Sequence, residues 1–170
     1  MNSTSFTTYR YSKAGTFRAG LGALLSIGVI SWLAQFGPQS WIMLVGSFGA
    51  SAVIVFAVPT SPMAHPIPLI LGNLIGASVG YLVATYAPVD AWALPAVAVS
   101  LAIVMMIATA STHAPGGAAA LIATTSPDAL SAGWLFIPAV GVGALILMVV
   151  ALVVHNAPGA GRVAYPVRES

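Results

Sequence analysis

Two short stretches of this sequence place a histidine, hydroxyl side chains and prolines between strongly apolar segments. They read TSPMAHPIP, residues 60–68, and ASTHAPGG, residues 110–117. Each presents one histidine, His65 or His113, and the chain then restarts on a proline. Proline suits a first helical turn, because its missing N–H would have no partner there. Since histidine can contact a solute or carry a proton near neutral pH, both stretches are candidate sites.

The second stretch predicts a binding site for a small anion. If a helix starts near Pro115, the N–H groups of residues 116–118 lie free at its positive end, and such an end attracts anions. Glycine also lets a ligand approach the backbone without meeting a side chain. We therefore expect the substrate to contact the following residues: Thr112, His113, Pro115, Gly116, Gly117, His65 and Asn73.

Structural roles are open alternatives for these residues. His113 could cap a helix or bond a backbone carbonyl, and Asn73 could form a hydrogen bond between helices. In favour of function, an ionisable group inside a membrane is costly and is a functional candidate by default. His113 would be drawn into the membrane if the short helix after it must reach the other face.

The composition is that of a membrane protein. Of 170 residues, 59% are hydrophobic and only 5% are charged, whereas soluble domains carry about 25% charged residues. The net charge is +2, and all five Lys and Arg residues lie near the chain ends, which argues against nucleic-acid binding. The chain has no cysteine, so disulfides and thiolate metal sites are excluded.

The predicted fold is all-α, a polytopic transmembrane bundle of five long helices and one short or broken helix. A span needs about 20 apolar residues. The long candidates are Ala19–Phe36, Trp41–Val58, Pro68–Tyr86, Trp92–Ala110 and Trp134–His155. The short candidate, Pro115–Thr125, would reach only about 17 Å.

The basic residues at both termini favour six crossings, with both termini in the cytoplasm. The predicted parts are a cytoplasmic segment at 1–18, a transmembrane domain at 19–155 and a cytoplasmic tail at 156–170. The outer turns GPQSW, APVDAW and SPDALSAGW each run from a proline to a tryptophan, and each following helix ends near a histidine. This pattern is compatible with three repeated hairpins. It is also compatible with convergence, because tryptophan at membrane interfaces and proline in loops are common.

The segment LGNLIGASVGY, residues 71–81, predicts close helix packing. It spaces Gly72, Gly76 and Gly80 four residues apart, on one face of a helix. Small residues at this spacing let two backbones approach in a membrane. The pattern leaves open whether the partner helix belongs to the same chain.

At these motifs the sequence resembles the HPP family of small integral membrane proteins. The family's His-Pro-Pro motif followed by small residues is similar to HAPGGAAALIA at 113–123, and a second family motif is similar to SPMAHP at 61–66. The resemblance covers residues 40–155. Three positions depart from the family pattern: Ala114 replaces a proline, His65 a glutamine and Asn73 a histidine. The resemblance implies transport of a small anion such as nitrite.

Three classes of function follow. The favoured one is a channel or secondary transporter for a small anion or neutral solute, working as a homo-oligomer in a bacterial inner (plasma) membrane. The others are a non-transporting scaffold or assembly subunit and, less favoured, a haem-binding redox protein, whose histidines would usually lie well inside helices. We expect no enzyme, metal or cofactor, because acidic pairs, an HExxH motif and nucleophile–base spacings are missing from the sequence.

Overall fold

The computed structural model describes residues 12–36 and 40–167, with the side chains of residues 40–45 outside that description. All regular structure in these residues is helical, which confirms the predicted fold class. The main helices are α1 (Lys13–Ala34), α2 (Ser40–Ala52), α3 (Asn73–Tyr86), α4 (Leu94–Ala108), α5 (Ala114–Thr125), α6 (Pro127–Ser131) and α7 (Phe136–Asn156). Two π-helical turns adjoin them, Val53–Ala57 after α2 and Pro68–Gly72 before α3. Single 3₁₀ turns lie at Pro62–Ala64 and Gly133–Leu135.

The helices match the predicted spans with some differences in length. Within residues 12–36 and 40–167, three are long and apolar enough to cross a bilayer: Lys13–Ala34, Pro68–Tyr86 and Gly133–Asn156. The helix predicted at Trp92–Ala110 is shorter, since α4 begins beside Pro95 and has 15 residues. Helix α5 has 12 residues, about 18 Å, and the turn after it contains the short helix α6. Residues 13–18, predicted to lie in an N-terminal segment, already belong to α1.

Successive long helices alternate in direction. Helices α3 and α5 run in parallel, because Gly72 lies against His113 and Gly80 against Ala120. Helix α1 runs opposite to α7, since Arg18 contacts the end of α7 at Val154. Both ends of the described chain therefore lie at one end of the bundle.

We call this end the histidine end, because His65, His113 and His155 all lie there. The opposite end is the tryptophan end. Three exposed indole side chains lie at it, those of Trp32, Trp92 and Trp134. The side chain of Trp41 and the basic residues Arg10 and Arg168 lie outside the described residues.

The glycines of α3 lie directly against α5 of the same chain. A Cβ atom on Gly76 would collide with the carbonyl oxygen of Gly116, and one on Gly80 would lie 2.7 Å from the Cα of Ala120. At Gly72 it would lie 2.6 Å from the carbonyl oxygen of Ser111. The two backbones are thus in contact along this line, which we call the α3/α5 seam, with no space for a methyl group at Gly72, Gly76 or Gly80.

A tight reversal after α4 brings the chain back under the bundle. Ala110 has a φ of 50°, a left-handed conformation that costs a residue with a Cβ roughly 1–2 kcal/mol. The Ser111 N–H donates to the Met106 carbonyl at 2.9 Å, as in a Schellman cap. This turn places Ser111 and His113 inside the bundle rather than beyond its end.

Candidate functional site

The imidazole of His113 lies at the centre of a buried polar cluster. His113 is fully buried, and both of its ring nitrogens have partners. Its Nδ1 lies 2.9 Å from the carbonyl oxygen of Met63 in the 3₁₀ turn, and its Nε2 lies 2.9 Å from the Oγ of Ser51 on α2. One side chain therefore joins the start of α5 to α2 and to the connection that follows α2.

The partners determine the tautomer of a neutral His113. A carbonyl oxygen can only accept, so Nδ1 carries the proton that is donated to Met63. Nε2 is then an acceptor, and the Ser51 hydroxyl donates to it. The neutral ring is fully satisfied in this arrangement. This contact with a carbonyl is the structural role that the sequence left open for His113.

Asn73 extends the cluster onto α3 and leaves one atom without a partner. Its Nδ2 donates to the Leu69 carbonyl at 2.8 Å and lies 3.5 Å from the Ser51 Oγ. Its Oδ1 is buried and has no hydrogen-bond partner in the described structure. A buried unpaired acceptor costs roughly 1–3 kcal/mol, and in native proteins such atoms are explained by strain, by a catalytic role or by a bound water or ion. The cluster of Ser51, Asn73 and His113 is called the polar centre below.

The polar centre lies where two helices are irregular. Ser51 precedes the π-helical turn Val53–Ala57, and Asn73 follows the π-helical turn Pro68–Gly72. Single π-helical turns inside helices occur frequently at functional sites, because the wider turn shifts the side chains and loosens the backbone bonding. The prolines of the 58–68 connection remove N–H donors, so its carbonyl groups depend on partners from elsewhere.

The other predicted substrate contacts lie in different surroundings. Thr112 is exposed, whereas Pro115 and Gly116 are buried. The Nδ1 of His65 accepts a hydrogen bond from the Ile67 N–H within its own turn, at 3.4 Å. Of the predicted contacts, only His113 and Asn73 meet in the polar centre.

The expectation of free N–H groups at the start of α5 is wrong for Gly116. Its N–H donates to the His113 carbonyl at 2.9 Å, and its Cα faces the backbone of Gly72. As the N-cap residue, His113 also provides the carbonyl that begins the helical bonding of α5. Gly117 is half-buried, and a Cβ there would meet only the Cγ1 of Val99, at 3.9 Å. Gly117 is therefore less enclosed than Gly116.

A second cluster lies beside the first at the histidine end. The Nε2 of His155 donates to the Val55 carbonyl at 3.0 Å, and the Tyr165 hydroxyl donates to the Ala64 carbonyl at 2.6 Å. The His155 ring lies between Phe56 and Tyr165, with ring centroids 5.7 and 5.4 Å away. Burial raises the pKa of Tyr165 above its ordinary value of 10, so its hydroxyl stays a donor through the neutral range.

Sequence reasoning missed Ser51, Met63 and Tyr165 as parts of these clusters. Ser51 had a detectable signal, a hydroxyl within an apolar helix, but small residues in membranes usually serve packing. Met63 contributes only its backbone carbonyl, which the side-chain pattern does not reveal. Tyr165 lies in a polar, proline-containing tail with no apolar periodicity.

The comparisons with known proteins agree with the resemblance. The family model described as "HPP, transmembrane region" matches residues 8–166. One transmembrane protein of Dictyostelium discoideum is 44% identical over 99 residues, which cover 56% of this chain and 32% of that protein. Another from the same organism is 38% identical over 125 residues, covering 72% of this chain and 44% of that protein. The chain thus spans less than half the length of these relatives, and no solved structure matches it.

Proposed function

The chain belongs to the HPP family of integral membrane proteins, and we propose that it moves a small solute across the bilayer through its polar centre. The observation that carries this proposal is the buried Oδ1 of Asn73, which has no donor. It lies in a cluster that also contains a buried histidine and a buried serine hydroxyl. A static helical bundle would stabilise itself by replacing such an acceptor with an apolar group. A solute that passes through the polar centre and carries a hydrogen-bond donor could bond this Oδ1 atom.

The substrate we propose is a small anion such as nitrite, carried together with a proton as the neutral acid. A bare anion has no donor for Asn73 Oδ1, and the neutral His113 ring gives it no positive charge. The O–H of the neutral acid can donate to Oδ1, while the acid's other oxygen can accept from the second Nδ2 hydrogen of Asn73, whose contact with the Ser51 Oγ is long, at 3.5 Å. Carrying the solute as a neutral species also avoids the large cost of placing an ion in a low-dielectric interior.

Flux into proteoliposomes tests this proposal. We expect the protein to accelerate nitrite entry above the rate in protein-free liposomes, which must be subtracted because neutral acids cross lipid unaided. Entry should rise as the external pH falls, because the neutral acid becomes a larger fraction of the total. Nitrate, formate, chloride and urea should be screened in parallel. Flux equal to that of protein-free liposomes for all five solutes would contradict transport and favour a scaffold role.

Two buried serines provide a matched pair of variants. Ser51→Ala removes the hydroxyl that contacts His113, whereas Ser26→Ala removes an equally buried hydroxyl that donates only to backbone carbonyls of its own helix, the nearest being Gly22 at 2.8 Å. We expect Ser51→Ala to lower nitrite flux at least tenfold and Ser26→Ala to leave it within about twofold. Equal flux in the two variants would show that the solute does not pass through the polar centre.

Asn73→Leu separates transport from folding. The leucine side chain removes the unpaired acceptor without leaving a cavity, so stability should hold or rise while flux falls. We also propose that the protein is a homo-oligomer, because the helices of one chain enclose little volume. Chemical cross-linking in native membranes would show a ladder of discrete multiples if this is correct.

A further inference from the structure

The segment that follows α7 folds back across the histidine end of the bundle. Residues 157–167 contain one buried side chain, Tyr165, which is 4% exposed. Its hydroxyl donates to the Ala64 carbonyl at 2.6 Å. Asn156 holds its backbone from both directions, since Nδ2 donates to the Tyr165 carbonyl at 2.6 Å and Oδ1 accepts from the Tyr165 N–H at 3.3 Å. We call residues 157–167 the strap.

Arg18 of α1 anchors the beginning of the strap. Its guanidinium donates four hydrogen bonds, all to backbone carbonyls near the end of α7, at distances of 2.7 to 3.0 Å. The acceptors are Val154, Ala157, Pro158 and Ala160. Gly159 and Gly161 both have positive φ, and Gly161 packs so closely on Gly15 that a Cβ would lie 2.5 Å from its nitrogen. The anchor determines where the strap leaves α7 and directs it across the bundle.

The strap and the polar centre share one small structural element. Tyr165 bonds the carbonyl of Ala64, and the adjacent carbonyl, that of Met63, accepts from His113. Both carbonyls belong to the 3₁₀ turn Pro62–Ala64. Releasing Tyr165 would therefore uncover this turn and loosen the group that orients the His113 ring.

The strap has more contacts at its start than beyond it. After Gly161, which packs on Gly15, the contacts described above are those of Tyr165: its buried ring beside His155, its hydrogen bond to Ala64 and its two hydrogen bonds with Asn156. Segments with little buried apolar surface open at low free-energy cost while the rest of the molecule stays folded. Its exposed side chains at Arg162, Ala164 and Val167 show that it forms the outer layer of this end.

We propose that the strap is an autoinhibitory closure, with Tyr165 as the plug that separates the aqueous phase at the histidine end from the polar centre. The closed state has Tyr165 on Ala64. In the open state, residues 162–167 swing away from the anchor formed by Arg18 and Gly15, and the turn at 62–64 becomes accessible. The effect of the strap on flux rests on the proposed transport function, whereas the closure itself is tested by accessibility.

Cysteine accessibility tests the closure directly, because the chain has no cysteine of its own. Ala64→Cys places a thiol under Tyr165 at a fully buried position. In lipid nanodiscs, whose two faces are both open to reagent, this thiol should react slowly with a charged methanethiosulfonate. Adding Tyr165→Ala should raise the labelling rate at least tenfold, and adding Tyr165→Phe, which keeps the ring but loses the hydrogen bond, should raise it less.

Two control positions exclude other causes. Thr112→Cys, exposed at the same end, should label at the same rate with and without Tyr165. Ala123→Cys, 1% exposed in the core, should stay unlabelled in both backgrounds. If Ala123→Cys labels in the Tyr165→Ala protein, that protein has unfolded. The closure is then tested by the labelling rate of Ala64→Cys in the Tyr165→Phe protein.

The outcomes separate the closure from transport. If the Ala64→Cys thiol labels at the same rate with Tyr165 and with its variants, the closure is overturned. Faster labelling together with higher nitrite flux supports both the closure and the proposed function. Faster labelling with no flux in any background supports the closure and contradicts transport.

Discussion

Two kinds of glycine contact hold this bundle together, and they differ in what the glycine touches. In the α3/α5 seam, Gly72, Gly76 and Gly80 lie against backbone atoms of α5 or of the residues before it. Around α2, by contrast, Gly22 of α1 receives the ring of Phe56, and Gly143 of α7 receives the ring of Phe48. We call the second set the phenylalanine contacts.

The difference is one of freedom to adjust. Backbone in a helix moves only if the whole helix moves, whereas a phenyl ring can rotate or shift within its surroundings. The ring of Phe48 has such room, because it lines a cavity of about 180 Å³ between α1, α2 and α7, together with Ile30, Ala139 and Gly143. The α3/α5 seam therefore fixes Asn73 relative to His113, whereas the phenylalanine contacts allow α1 and α7 to shift relative to α2.

The largest expected effect is that of Gly76→Ala. The added Cβ would overlap the Gly116 carbonyl oxygen, and relief requires α3 and α5 to separate. We expect a loss of about 3 kcal/mol or more, at the upper end for overpacking, measured as a fall in Tm by circular dichroism in detergent. Gly28→Ala is the control, because a Cβ at Gly28 meets nothing within 4 Å. If both variants have the same Tm, the backbones of α3 and α5 are not in contact at Gly76.

Gly143→Ala should have a smaller effect. The new methyl group meets only the ring of Phe48, which can move into the adjoining cavity. We expect a loss of about 1 kcal/mol, and nitrite flux close to that of the unmodified protein. A loss as large as that of Gly76→Ala would show that the ring cannot move and would erase the distinction between the two kinds of contact.

Gly117→Ala should have the smallest effect on stability. It should stabilise the protein, whereas Gly76→Ala and Gly143→Ala should destabilise it. Although it neighbours Gly116, its Cβ would make only ordinary contact with Val99 at 3.9 Å. Replacing a helical glycine by alanine then gains about 0.5–1 kcal/mol, so Tm should rise. Flux is an independent readout: a drop in nitrite entry without loss of stability would place Gly117 beside the path. A lower Tm would contradict the assigned surroundings of Gly117.

Much of the fold could be predicted from local features of the sequence. Few charges and long apolar segments require helices that satisfy their own backbone in lipid, and prolines such as Pro68 and Pro95 indicate where helices begin. The spacing of Gly72, Gly76 and Gly80 identified the packing face of α3. The lengths were less accurate: α4 is shorter than predicted and α1 starts earlier, because helix ends depend on caps such as Ser12, whose Oγ accepts from the Gly15 N–H.

The sequence by itself thus determined the membrane environment, the helical fold and the packing face of α3, and it singled out His113 as a candidate residue. Only the tertiary structure decided what His113 contacts, since Ser51 and Met63 lie 62 and 50 positions away along the chain. It also decided that Gly116 faces Gly72 rather than a solute, and that Tyr165 reaches Ala64 across 101 positions. The physical reason is that hydropathy and glycine spacing act within one helix, whereas hydrogen-bond partners depend on how separate helices are placed.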